Sequence, residues 1–266
     1  MGILVGCCIV INMMIGAFNS WLILNTLHKL PFPVFLKAYF YSWTTGLITP
    51  GQAGDASLIL FLKTYGISLR QSGISYLLDK IITLSIFFLI GWYGSYILVP
   101  ELKFIWFYIV IAMSLAVIIA SIFIKLSPNH FRFASKFHAL FRDIAHESKK
   151  LKQKQYILAI NILLTFVKWI AVTACYYTAF LCFNTNAPWP EIGVIPVLST
   201  LVGYIPVSIG GIGTVELTAT QLFARAGVEQ SAVLSTYLLI RSIQYCIAIL
   251  MLALFAWKNY TLNSSG

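Results

Sequence analysis

Asp55 and Lys80 lie 25 residues apart, as do Glu216 and Arg241, and the second pair follows the first at an offset of 161 residues. An acid and a base at such a spacing in apolar sequence can join two neighbouring segments as an ion pair, a latch with closed and open states. The same offset sets Gly66 on Gly227, Ile67 on Val228 and Tyr76-Leu77-Leu78 on Tyr237-Leu238-Leu239. Each copy opens on a glycine-rich break in hydrophobic sequence. The first reads Thr49-Pro50-Gly51-Gln52-Ala53-Gly54-Asp55, and the second Pro206-Val207-Ser208-Ile209-Gly210-Gly211-Ile212-Gly213. A carboxylate just after a break can also cap the helix that follows, worth ~0.3–1 kcal/mol against the helix dipole. Both roles, cap and latch, are open for Asp55 and Glu216.

Two more charges lie in apolar sequence. Asp79 precedes Lys80 about a third of the way into its segment, where an interfacial position with Lys80 snorkelling is the plain alternative. Lys168 comes about thirteen residues into an apolar run, roughly 20 Å along a helix. A lysine that deep needs a carboxylate or an anion. Asp55, Asp79 and Glu216 balance Lys80, Lys168 and Arg241 three against three, which permits complete internal pairing. The competing arrangement is an anionic headgroup bound by these cations and by the free N–H groups of helix N-termini at the breaks. The candidate binding or translocation residues are therefore Gly51, Gly54, Asp55, Asp79, Lys80, Lys168, Gly210, Gly211, Gly213, Glu216 and Arg241.

Catalytic and metal chemistry have little to build on. His28, His130, His138 and His146 sit in loops or at segment ends with no i,i+4 pair, which argues against a metal site. Neither a phosphate-binding glycine loop nor a nucleophile elbow is present, so neither a cofactor nor a catalytic residue is expected. Cys7, Cys8, Cys175, Cys182 and Cys246 follow neither zinc nor disulfide spacing and read as small core residues.

The elements that must position these groups are membrane helices. Of 266 residues 59% are hydrophobic and 10% charged, with mean hydropathy +0.86, a composition no water-soluble domain of this size carries. The apolar runs are long and continuous rather than alternating, which excludes a β-barrel. The expected fold is all-α, one polytopic transmembrane domain over 1–266 with no separate soluble domain. Full spans are predicted at about 3–27, 72–99, 104–126, 155–182 and 230–257, with helix-break-helix units at about 33–66 and 191–227. The first run lacks the marks of a cleaved signal peptide. The arms of the two units are too short to cross ~30 Å of hydrocarbon and are drawn as re-entrant hairpins. Repeat 1 covers about 31–99 and repeat 2 about 190–257.

The loop at 127–154 is rich in Lys and Arg and is assigned to the cytoplasm, together with the C-terminus. Tracing the spans from it leaves only Lys103 and Arg225 outside. Phe133, Phe137, Leu140, Phe141 and Ile144 give that loop an apolar helical face suited to the inner leaflet, so its charge needs no nucleic acid. Three full spans separate the hairpins, so the two repeats are inverted in topology. Breaks of this kind survive in a membrane only when buried in protein or lining a wet cavity, so the two should meet inside the molecule. Trp43, Trp92, Trp106, Trp169, Trp189 and Trp257 are read as an interfacial belt.

The two break motifs, each followed by its glycine at Gly66 or Gly227, resemble the signature blocks of the lysylphosphatidylglycerol synthase transmembrane-region family, also described as flippase-like. The resemblance covers about residues 10–257. It implies a stand-alone member without the soluble synthase domain, embedded in the cell (plasma) membrane and moving an anionic phospholipid or lipid-linked precursor between leaflets. It further implies membrane lipids as partners and a separate lipid-modifying enzyme. Some positions depart from the pattern: Ser57 stands where a basic residue follows the acid, Val215 precedes Glu216, Lys80 replaces an arginine, and a preceding helix is expected. Two other readings stand beside lipid translocation. One is a membrane transferase or accessory protein acting on lipid-linked substrates, the other an ion-coupled carrier of small solutes.

Overall fold

A computed structural model describes residues 1–50, 53–99, 155–205 and 207–264. The span expected at 104–126, the basic loop 127–154, Trp106, the three histidines beyond His28, and Gly51, Gln52 and Pro206 of the breaks lie outside the described residues. Among the described residues every element is helical. Four helices among the described residues are long and apolar enough to cross a bilayer: α1 (Gly2–Leu27), α4 (Leu69–Leu98), α5 (Gln155–Leu181) and α8 (Gln230–Ser264), the last through its stretch Gln230–Leu254. Between them lie shorter elements. The first group is α2 (Phe32–Ile48), a 3-10 turn (Ala53–Ala56) and α3 (Ser57–Lys63), and the second is α6 (Trp189–Gly203) and α7 (Thr214–Arg225).

Local chemistry sets the boundaries. Both first arms, α2 and α6, begin at a Pro-aromatic-Pro step, Pro31-Phe32-Pro33 and Pro188-Trp189-Pro190. Proline costs nothing there because the first helical N–H groups have no partner inside the helix. α4 starts three residues before the predicted 72 because Ser68 caps it, its hydroxyl accepting the Gln71 N–H at 3.2 Å. α3 and α7 end alike. Gly66 and Gly227 take φ of +79° and +78°, and the next residue's N–H reaches back to Leu62 O or Phe223 O. This is the Schellman arrangement that favours glycine.

Each short pair of arms covers its own apolar cluster. Leu58, Leu62 and Ile67 join Phe35 and Ala38 under the first, while Ala219, Phe223 and Val228 join Ile192 and Ile195 under the second. Those two sets of three are separated by the same 161 residues as the charged pairs. α1 packs most extensively on α5, and its Val5 and Ile9 meet Cys175, Ala179 and Ile240 of α8 in a third cluster. Of the cysteines only Cys175 is buried. Cys7 and Cys246 are exposed on outward helix faces, where a small apolar thiol suits lipid as well as a core, which corrects the expectation for them.

Candidate functional site

The two breaks touch. Pro50 and Ile209 form an isolated antiparallel bridge, and the Gly210 N–H donates to the Thr49 carbonyl at 2.9 Å. Thr49 and Gly210 are equivalent positions under the 161-residue offset. An antiparallel contact between equivalent residues is the local relation that a two-fold axis passing between them would give. The fit leaves no room for a side chain at Gly210, which has φ +56° and would place a Cβ 2.3 Å from Leu47 O. Other polar backbone groups at the breaks are also engaged. Thr49 Oγ1 accepts the Gly54 N–H at 2.7 Å, Arg241 Nη1 donates to Gly210 O at 3.1 Å, and Tyr245 Oη donates to Leu47 O at 3.1 Å. In hydrocarbon each such group would cost several kcal/mol if left unpaired.

Both charged pairs close. Lys80 Nζ is bound to the Asp55 carboxylate and also donates to Tyr204 Oη at 3.3 Å. Arg241 donates through Nε to Glu216 Oε1 at 2.6 Å, and its Nη2 lies equally close to that oxygen. Glu216 also caps: its Oε2 accepts the N–H of Gly213 at 2.8 Å, at the N-terminus of α7. Cap and latch therefore coexist at Glu216. Asp55 does not cap, because it belongs to the 3-10 turn ahead of α3, whose N-cap has no side-chain hydrogen bond. Lys80 does not snorkel. It is turned inward to Asp55.

Complete pairing of all six charges is not what the fold provides. Asp79 is held by neutral donors, Ser20 Oγ to Oδ2 at 2.7 Å and Asn161 Nδ2 to Oδ1 at 3.1 Å. Among the described residues no carboxylate lies within ion-pair distance of Lys168. Asp55, Asp79, Lys80, Lys168, Gly210 and Arg241 line one cavity of about 310 Å³. Glu216 stands behind Arg241. Gly54, Gly211 and Gly213 are not among the lining residues; at Gly54 a Cβ would meet the Gly46 nitrogen at 2.3 Å, so α2 and the turn could not close together.

Several cavity residues escaped the sequence reading. Gly16 of α1, just behind the lining, faces the Tyr39 hydroxyl and Lys168, with room for no more than hydrogen beside the former. Trp43 and Trp169 are cavity walls rather than members of an interfacial belt. The indole N–H of Trp169 donates to Gly193 O at 2.6 Å. Its ring also walls a second, mostly apolar chamber of about 620 Å³ between α4, α5 and the start of α6. Asn12, Gly16, Asn19 and Ser20 recur at helical spacing on α1, as do Asn161, Thr165 and Lys168 on α5, and that periodicity was the available signal.

Residues 1–252 match the family described as "Lysylphosphatidylglycerol synthase TM region". A UPF0104 membrane protein of Pyrococcus horikoshii is 27% identical over 160 residues, covering 58% of this chain and 48% of that protein. A second UPF0104 membrane protein, from Methanothermobacter thermautotrophicus, is 26% identical over 103 residues, covering 39% of this chain and 30% of its own length. The chain thus spans about half or less of the curated relatives it matches. No solved structure matches it.

Proposed function

The chain belongs to the lysylphosphatidylglycerol synthase transmembrane-region family and is a multi-pass integral membrane protein, and from that premise we propose that it moves an anionic phospholipid or lipid-linked precursor between leaflets. The observation that carries this reading is Lys168, a cation deep in a membrane helix, facing a cavity and with no carboxylate within ion-pair distance among the described residues. Such a charge is costly unless something of opposite sign meets it. A phosphate headgroup supplies that charge, and Lys80 and Arg241 line the same cavity. Exchange of Asp55 for phosphate at Lys80, in the more exposed of the two pairs, opens that latch.

The neighbouring apolar chamber, one indole away, suits the chains of an amphiphile. The pairing of Thr49 with Gly210 supports reading the halves as inverted repeats whose breaks enclose the headgroup path. In this reading the chain sits in the plasma membrane with the loop 127–154 and the C-terminus cytoplasmic.

The test uses liposomes carrying the purified protein and a fluorescent phosphatidylglycerol, with leaflet exchange followed by bleaching of the outer leaflet. Lys168→Gln should remain folded and exchange the lipid at least about tenfold more slowly, the effect of adding ~1.4 kcal/mol to the rate-limiting barrier. Equal rates in wild type and well-folded Lys168→Gln would overturn the headgroup path.

A further inference from the structure

Beside the cavity, α1, α4 and α5 meet in a polar knot that neither ion pair uses. Asn161 and Asn19 are 0% and 2% exposed, and Thr165 and Ser20 are buried with them around Asp79. The Asn161 amide nitrogen bridges Asp79 Oδ1 at 3.1 Å and the Asn19 carbonyl at 3.3 Å, while Asn19 Nδ2 donates to Thr165 Oγ1 at 3.1 Å. Two oxygens in this knot, Asn19 Oδ1 and Asn161 Oδ1, are buried with no partner. Buried acceptors are rarely left so, least of all in a membrane.

We propose that this knot is a binding site for a monovalent cation of sodium size, formed by the Asp79 carboxylate, the amide oxygens of Asn161 and Asn19, the Asn19 carbonyl and the hydroxyls of Ser20 and Thr165. Turning the Asn161 amide over exchanges its oxygen and nitrogen. An oxygen then stands 3.1 Å from Asp79 Oδ1 and 3.3 Å from Asn19 O. As the amide stands, its nitrogen donates to both oxygens; turned over, the three converging oxygens repel one another unless a cation lies between them. The donors are all hard oxygens, which suits alkali and alkaline-earth ions rather than zinc or copper. The site holds one carboxylate, which balances one positive charge and falls short of what a divalent ion needs. Asp79 and Ser20 also line the cavity, which gives the ion a way in.

The charges facing the site set its partner. Lys80 is neutralised by Asp55, and Lys168 stands three residues beyond Thr165 on the same helix. A cation at Asp79 and an anion on Lys168 therefore favour each other, so loading of the two is coupled. The cation site itself does not depend on which substrate the cavity accepts.

Purified full-length protein in detergent is melted in NaCl and in choline chloride at equal ionic strength. Sodium should raise the midpoint by about 5–10 °C once ~100-fold above its Kd. Asp79→Asn and Asn161→Ala should abolish the difference between the two salts. Asn161→Asp, which adds a second carboxylate, should transfer the stabilisation from sodium to calcium. Identical midpoints for the wild type in the two salts, or a sodium effect that persists in Asp79→Asn, would overturn the site. If Asp79→Asn does not fold, Asn161→Asp decides: retention of sodium preference without calcium response overturns it. Failure of lipid exchange with the sodium effect intact would count against the proposed function alone.

Discussion

The two ion pairs share a spacing and differ in how firmly they are tied. Glu216 is joined to Arg241 by two nitrogens and to the Gly213 N–H, and Arg241 goes on to Gly210 O. One side-chain pair thereby fastens the second break, α7 and α8 together, with the Glu216 side chain 7% exposed. Asp55 and Lys80 join only the 3-10 turn to α4, are 26% and 20% exposed, and draw Tyr204 from the other break as a third member. A planar guanidinium also fixes geometry in a way that a single ammonium does not. The comparison teaches that one latch is built to stay shut while the other is free to exchange partners.

The largest effect should come from removing the surface on which both latches rest. Gly210→Ala introduces left-handed strain of ~1–2 kcal/mol and a backbone clash of similar size, about 3 kcal/mol or more in all. Thr49→Ala at the equivalent position loses the hydroxyl's contacts to the Gly54 N–H and the Thr45 carbonyl and should cost only about 1–2 kcal/mol. Thermal unfolding in detergent measures both, and equal losses would mean that the break contact is not the fixed point. Next, Glu216→Gln weakens the hold on Arg241 and should cost about 3 kcal/mol, the low end for breaking a buried pair, because Arg241 keeps the Gly210 carbonyl. Asp55→Asn should cost less than half of that, because its partner keeps water and Tyr204 within reach. A larger loss for Asp55→Asn in the same melts would reverse the assignment of fixed and exchanging latch.

The smallest effect tests where the two copies are alike. Gly66→Ala and Gly227→Ala meet open space and nearly equal φ, so each should lower stability by about 1 kcal/mol and agree within ~0.5 kcal/mol. Divergent values would show that the helix ends are under different tertiary load.

Much of this was legible because charges and glycines in apolar sequence have few places to go. The 25-residue spacing foretold both pairs, and the breaks had to meet since neither could face lipid. Residues whose role depends on tertiary context were not legible. Asp55 and Glu216 look alike in sequence, yet only Glu216 lies where a carboxylate reaches a free helical N–H, because the first break turns through a 3-10 segment before α3 begins. The Pro-aromatic-Pro starts were missed because the second first arm is four residues further from its break, so a fixed offset does not align them. Trp169 was misread although its place beside Lys168, near the middle of its span, already set it apart from an interfacial belt.

The contact between Thr49 and Gly210 also bears on how the chain is made. Synthesis delivers the Thr49 and Leu47 carbonyls to the bilayer long before Gly210 and Tyr245 exist to receive them. Until then the first break has polar groups that hydrocarbon cannot satisfy. The first half therefore cannot mature alone and stands in need of the insertion machinery or water. Its final packing waits for the second half, and the two acquire their native form as one cooperative unit.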